Sequence, residues 1–297
     1  SSVYSASKPQ VVELFGGCGG LALASRQEGL QHAIIVDNNA RCVATLHKNG
    51  FDTAVTRSVQ EMDWSPYEGT TLLTAGPPCQ PWSIGGVDTG ESDSRNLWLE
   101  TVRAIREARP RFFLIEMVAG FLRDIYQTFR ESLVSDLRSL GYTVDVVPVN
   151  AFEVSLPQDR KRCFFLGHRS STTLCSPDTR HLVTLRDAFR DLGEPNGQNR
   201  HQIEGSAREY PGHVANNIDT LSRTLRSGGN GPGGGSNTLR CADGSIRYFT
   251  IREMARIQGF PDDFQFDPVW SHAMGELGNA CPPPLARAWL RQLLLCT

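Results

Sequence analysis

The residues best placed to do chemistry lie in one proline-stiffened run, Gly76-Pro77-Pro78-Cys79-Gln80-Pro81-Trp82-Ser83. A short apolar run over 71–75 precedes it and predicts a buried strand. That strand would deliver Cys79 to the carboxyl edge of a sheet, where ligands bind in doubly wound folds. The prolines fix the direction of the chain and hence of the sulfur. A thiol so presented is a candidate nucleophile; a buried structural cysteine is the alternative that position alone leaves open.

A second candidate follows the first apolar run, Val11-Val12-Glu13-Leu14-Phe15. Gly17-x-Gly19-x-x-Ala22 can turn the backbone sharply and bring it close to a ligand at the start of a helix. Asp37 ends the next apolar run, and a carboxylate there can accept both ribose hydroxyls of an adenosine cofactor. NAD and S-adenosylmethionine fit equally well, and a tight turn without a ligand produces the same pattern.

The elements that must carry these groups alternate in type. Strands are predicted over 11–15, 33–37, 71–75, 112–115, 144–149 and 163–166. Helices are predicted over 19–28 and 40–48, and within 121–140, where Ile125, Phe129, Leu133, Leu137 and Leu140 recur on one face. This is the pattern of an α/β, doubly wound and mostly parallel sheet. After about His168 the apolar runs give way to Ser, Asn, Gly and Arg, including a glycine-rich run over 228–235 that no helix or strand interior tolerates. Regular patterning returns with a helix over 250–258 and a last one after Pro282-Pro283-Pro284.

The net charge of −2 argues against a uniformly basic nucleic-acid binder but leaves room for a local basic face. Eight cysteines without a C-x-x-C pair argue against a zinc site or a disulfide scaffold. A reducing intracellular compartment suits them. No apolar stretch is long enough to span a membrane. Residues 1–8, small and polar, read as a disordered lead-in.

Several motifs together resemble the cytosine-C5 DNA methyltransferase family. Pro78-Cys79-Gln80 is similar to its catalytic signature and Phe15-x-Gly17-x-Gly19 to its cofactor motif. Ser83-Ile84-x-Gly86 with Asp93-x-Arg95 resembles its mobile catalytic loop. Glu116-Met117-Val118, Gln158-x-Arg160-x-Arg162, Arg247-x-x-Thr250-x-Arg252-Glu253, Gln258-Gly259-Phe260-Pro261-Asp262 and Gly278-Asn279-Ala280-x-Pro282-Pro283 follow in the family's order. The match covers about 10–168 and 247–295.

The resemblance implies a Rossmann-like fold of the class I S-adenosylmethionine methyltransferases. Residues 1–168 and 270–297 would form the catalytic part and 169–269 a small target-recognition domain. It implies that Cys79 adds to C6 of a flipped cytosine, so that C5 takes the methyl group. Glu116 would bond N4-H and share a proton with N3, which requires a raised pKa. Arg162 would hold the O2 edge and Arg160 would support the pocket, both projecting from one strand face. Phe15, Gly17, Gly19, Asp37, Asn38, Ser58, Val59, Pro78, Leu97, Asn279 and Ala280 would bind the cofactor, with no metal. The partner would be double-stranded DNA. Ser83 and Arg95, in a closing loop over 83–97, would contact phosphate. Arg223, Arg226 and Arg240, around the glycine-rich run, would reach phosphates or guanine edges. Localisation would be the nucleus in a eukaryote and the cytoplasm or nucleoid in a bacterium.

The chain departs from the family pattern in three places. Ser58 stands where many members have an Asp that accepts from the adenine amino group. Met117 stands for an Asn that orients the catalytic loop. Cys281 stands for a common Val and reads as a small apolar substitute. Three rival readings remain: a tRNA-modifying member, which the missing Cys-Phe-Thr tripeptide opposes; a non-catalytic DNA-binding homologue; and an NAD-dependent oxidoreductase, which leaves the Pro-Cys-Gln turn and the paired arginines without a role.

Overall fold

The computed structural model describes residues 10–78, 94–177, 181–228 and 234–296. Cys79, Ser83, most of the loop expected over 83–97, the lead-in over 1–8 and the middle of the glycine-rich run lie outside the described residues.

The first strands alternate with helices, as the sequence patterning predicts. They are β1 (Gln10–Leu14), α1 (Gly20–Gln27), β2 (Gln31–Asp37), α2 (Ala40–Lys48), β3 (Ala54–Thr56) and β4 (Leu72–Ala75). Next come α3 (Ser94–Ala108), β5 (Phe112–Val118), α4 (Gln127–Ser139), β6 (Thr143–Asn150), β7 (Gln158–Asp159) and β8 (Lys161–His168). The main sheet has seven strands in the order β3-β2-β1-β4-β5-β8-β6. β8 alone runs antiparallel, wedged between β5 and β6. The order reverses direction between β1 and β4, which opens a crevice at their carboxyl ends.

The period-two alternation of the strands builds both faces. Val12, Leu14, Leu73, Phe113, Ile115 and Phe165 point into a core closed by Trp98, Val102 and Ile105 of α3 and Leu133 and Leu137 of α4. Their sequence neighbours Val11, Leu72, Phe112, Leu114, Phe164 and Leu166 point the other way. There they meet Leu285, Trp289, Leu290 and Leu293 of the last helix, α8 (Pro283–Leu294).

The remaining chain carries α5 (Leu185–Phe189), β9 (Ser222–Arg223), β10 (Thr238–Arg240), β11 (Ile246–Tyr248), α6 (Ile251–Gln258) and α7 (Trp270–Asn279). A third core joins it to the sheet: Leu23, Val43 and Leu46 of α1 and α2 pack with Leu225, Phe249, Met254, Phe264 and Leu277. Helix α6 is delimited by local chemistry. Thr250 and Glu253 form a reciprocal capping box, and Gly259 ends the helix in the left-handed region.

Two expectations need correction. Residues 83–97 are not one continuous loop: α3 begins at Ser94, so Arg95 and Leu97 lie in its first turn. Arg160 does not sit on a strand beside Arg162; it occupies the junction between β7 and β8. A helix at 270–279, not anticipated from the apolar pattern, carries Asn279 to its place.

Candidate active site

The glycine turn sits at the carboxyl end of β1. Phe15 takes φ +56°, Gly17 +55° and Gly19 +113°. Left-handed backbone is free for glycine and costs a side-chain-bearing residue about 1 kcal/mol or more. Phe15 is held there by packing on the α3/α4 core. The Gly17 N–H donates to Asp37 Oδ2 at 2.9 Å, and the Asn39 N–H donates to Oδ1 at 2.8 Å. Burial raises the Asp37 carboxyl above its ordinary value, against the lowering effect of these two bonds. Asn38, next to it, is exposed.

β3 pairs with β2 so that Thr56 lies beside Asp37. Ser58 and Val59 therefore follow at the same edge, one strand further out. Ser58 caps a short turn over Val59–Glu61, and its hydroxyl donates to the Gln60 side-chain carbonyl. Arg103 of α3 braces the turn from behind, donating to Val59 O at 3.0 Å and Met62 O at 2.8 Å.

Gly278, Asn279 and Ala280 close the opposite side of the turn. The Cys18 thiol reaches Glu276 O at 3.6 Å, joining the glycine turn to α7. Asn279 is exposed and Ala280 buried. Leu97 packs half-buried on the α3/α4 core and Pro78 is exposed. Among the described residues, the donor set at this edge fits an adenosine cofactor: a carboxylate, a turn of backbone N–H groups and small residues. No group of three or more His, Cys, Asp or Glu side chains suited to a metal occurs among them.

Of the catalytic candidates, Glu116 and Arg162 come together from β5 and β8 at the exit of β4. Ala75 pairs with Ile115, so Gly76 leaves β4 beside Glu116. A β-carbon at Gly76 would lie 3.9 Å from Glu116 Oε1. Val118 pairs with Arg162, which places Arg162 on the Glu116 face of the sheet. Glu116 Oε2 is buried and makes no hydrogen bond among the described residues. A buried carboxylate oxygen left unsatisfied is costly, and such atoms call for a ligand or water.

Cys281 lies near Glu116, where its small side chain takes the place of the family's common Val. It is buried in the apolar cluster under the sheet, and its thiol donates to Pro282 O at 3.9 Å. Burial, then the charge of Glu116, pushes that thiol well above its ordinary value, so it stays protonated. Met117 faces the opposite side, 1% exposed in the aromatic core that holds Trp98, Phe121 and Phe165. Its apolar side chain suits that surrounding.

Arg160 is 1% exposed and works as a buried rivet. It donates to Leu225 O at 3.0 Å, Gly278 O at 2.9 Å and Ala280 O at 3.2 Å. Burial, then repulsion from Arg162, pushes its guanidinium down to about 9, so it remains charged at neutral pH. Gln158 Oε1 accepts from Leu225 N at 3.0 Å, and Gln158 Nε2 donates to Gln258 Oε1 at 2.7 Å. Gln258 in turn donates to Leu277 O at 2.7 Å and Ala280 O at 3.1 Å. Both glutamines belong to the quoted motifs, but no spacing rule assigned them this role.

The basic candidates separate. Arg95 lies at the start of α3, away from the rest in sequence. Arg223 and Arg226 are exposed, and Arg240 is paired with Glu209.

Comparisons with known proteins identify the family and the fold. The model of the family "C-5 cytosine-specific DNA methylase" matches residues 9–218 and 183–294. The chain is 31% identical to the Type II methyltransferase M.AplI of Arthrospira platensis, over 94% of this chain and 83% of that protein. It is 30% identical to M.MthTI of Methanothermobacter thermautotrophicus, over 95% and 96%. The fold is similar to that of Spodoptera frugiperda DNMT2, with a TM-score of 0.79 at 17% identity, over 96% of this chain and 99% of that one. The S. pombe Dnmt2 methyltransferase gives 0.70 at 19% identity, over 97% and 98%. The chain belongs to the C-5 cytosine-specific DNA methylase family and is a DNA cytosine methyltransferase.

Proposed function

We propose that the chain methylates C5 of a cytosine flipped out of double-stranded DNA, through a transient bond between Cys79 and C6. The observation that carries this reading is the Glu116 carboxyl beside the end of β4, whose buried Oε2 makes no hydrogen bond among the described residues. From there the chain runs through Pro77 and Pro78 to Cys79.

The Cys79 thiolate adds to C6, and the ring electrons move towards C5 and N3. Glu116 bonds the N4-H edge and shares the proton at N3. Arg162 bonds O2, and Arg160 keeps the wall of the pocket in place. When bound, S-adenosylmethionine would supply an electrophilic methyl group for C5, leaving S-adenosylhomocysteine. A water takes the C5 proton, and the freed electron pair expels the Cys79 thiolate and restores the aromatic ring. Extruding the base costs a few kcal/mol of stacking, which contacts made to the open duplex must offset.

Phe15, Gly17, Gly19, Asp37, Asn38, Ser58, Val59, Pro78, Leu97, Asn279 and Ala280 bind the cofactor in this reading. Asp37 takes the ribose hydroxyls. The Ser58 proton is committed to Gln60, so the Ser58 oxygen faces an adenine amino group as an acceptor. Ser83, Arg95, Arg223 and Arg226 meet phosphates, with Arg240 in reserve behind Glu209. Residues 1–168 and 270–297 act as the catalytic part, and 169–269 select the target.

Expression in a host free of cytosine methylation, followed by base-resolution mapping, tests this. We expect 5-methylcytosine in a defined sequence context. Unmodified DNA, from a folded protein that binds S-adenosylhomocysteine, would contradict it.

A further inference from the structure

Between α5 and β9 the chain makes a tight projecting turn, Tyr210-Pro211-Gly212-His213. Backbone bonds close it in both directions: His213 N donates to Tyr210 O at 2.8 Å, and Tyr210 N to His213 O at 3.4 Å. Proline presets the second position, and Gly212 supplies the φ of +80° that the third requires. The two rings meet across the turn with centroids 4.4 Å apart. Tyr210 is 56% exposed and Val214, next to it, 47%. This is an aromatic tip held rigid in water.

The tip shares a frame with the basic residues. A β-carbon at Gly235 would lie 2.3 Å from Val214 O, so the end of the glycine-rich run is pressed against the exit of the turn. Buried Asn216 donates to Ser236 O and Thr238 O, both at 2.9 Å, and accepts from Arg223 N at 3.0 Å. Buried Asn237 accepts from Arg226 N at 3.0 Å and donates to Arg226 O at 2.8 Å. Two asparagines thus hold the tip, Arg223 and Arg226 in fixed relation.

The charges complete the picture. Burial, with the nearby charge of Arg226, pushes the Arg223 guanidinium down. Among the described residues neither arginine has a carboxylate partner, whereas the neighbouring Arg240 is paired with Glu209. Two uncompensated like charges beside a rigid aromatic tip match a strand of phosphates with bases beyond it.

We infer that the Tyr210–His213 turn is the base-reading tip of this protein, entering a groove of the duplex while Arg223 and Arg226 hold adjacent phosphates. The tyrosine hydroxyl and the histidine ring nitrogens bond base edges, and the ring faces pack on bases or thymine methyls. The tip therefore sets the sequence context that is methylated. The inference rests on the DNA-methylating reading above.

Wild type, Tyr210→Ala, His213→Ala, Tyr210→Phe and His213→Gln are expressed in a host free of cytosine methylation, and 5-methylcytosine is mapped at base resolution. Melting temperature and S-adenosylhomocysteine binding of each purified protein confirm folding. Wild type is expected to mark one context. The alanine variants are expected to keep methylating while at least one position of that context loses about tenfold or more in discrimination. Arg223→Ala and Arg226→Ala are expected to keep the context, and each to lower the salt slope of binding to a random-sequence duplex by about one. If an alanine variant does not fold, its Phe or Gln counterpart carries the same reading. The same context and stringency in all tip variants overturns the inference alone. Absence of methylation by folded wild type removes the underlying reading and the inference with it.

Discussion

Arg160 donates to the carbonyl of Gly278 at 2.9 Å, across 118 residues of sequence. The same guanidinium holds Leu225 O, so one buried charge ties the edge of the catalytic sheet to two distant segments. Gly278 permits the closure: a β-carbon there would lie 2.3 Å from the Ser227 nitrogen. Arg160→Lys keeps the charge but loses the planar fork that reaches several carbonyls at once. It is expected to lose about 3 kcal/mol of stability, of the order found when a buried charged hydrogen-bond network is broken. Urea unfolding of the variant measures this, and a loss below about 1 kcal/mol would remove Arg160 from its bracing role.

In the proposed reading, Asp37 sets the acid limit of cofactor binding. Ribose hydroxyls donate to the deprotonated carboxylate, so affinity is complete above the folded pKa and falls about tenfold per pH unit below it. Burial raises that pKa, so the loss begins at a higher pH than for a free aspartate. Calorimetric titration with S-adenosylhomocysteine is expected to show this slope in wild type. Asp37→Asn should bind at least tenfold more weakly at neutral pH and lose the slope.

In the proposed reading, Ser58 and Gln60 stand in for a carboxylate at the adenine edge. Ser58→Ala removes the acceptor and frees the Gln60 carbonyl that its proton occupies. Affinity for S-adenosylhomocysteine is expected to fall about fivefold to tenfold, the worth of one hydrogen bond of about 1 kcal/mol. The inosine analogue lacks the amino group, so its weaker binding should not change between the two proteins. Equal losses for both ligands would place Ser58 away from that edge.

Arg226 and Arg240 are expected to differ. Arg226→Ala removes an uncompensated charge and should weaken duplex binding across all sequences, with a shallower salt dependence. Arg240→Ala also releases Glu209 and should change affinity differently. Fluorescence anisotropy at two salt concentrations separates them. Identical effects would show that the Glu209 pair opens on DNA.

The sequence was most legible where local rules suffice. Helix α2 runs from Ala40 to Lys48 as predicted, because Asn39 caps it and Asn49-Gly50 ends it. The glycine turn, Asp37 and the strand into Gly76 were equally local. Helix α3 was hidden because its first turn adjoins the polar loop, and α7 because its glycines and the quoted Gly278-Asn279 motif mask the helical period. The Arg160 rivet and the pairing of Arg240 with Glu209 could not be read. Each depends on tertiary closure between segments whose separation in sequence carries no period.

The central claim is that Cys79 forms the bond to C6. Its most direct test is incubation with duplex DNA carrying 5-fluorocytosine at the mapped target, plus S-adenosylmethionine, followed by denaturing electrophoresis. The fluorine cannot leave as a proton does, so the wild-type protein is expected to stay covalently attached to the DNA. Cys79→Ser should give neither adduct nor methyl transfer, yet bind S-adenosylhomocysteine as wild type does. An adduct or sustained methylation by Cys79→Ser would contradict the account.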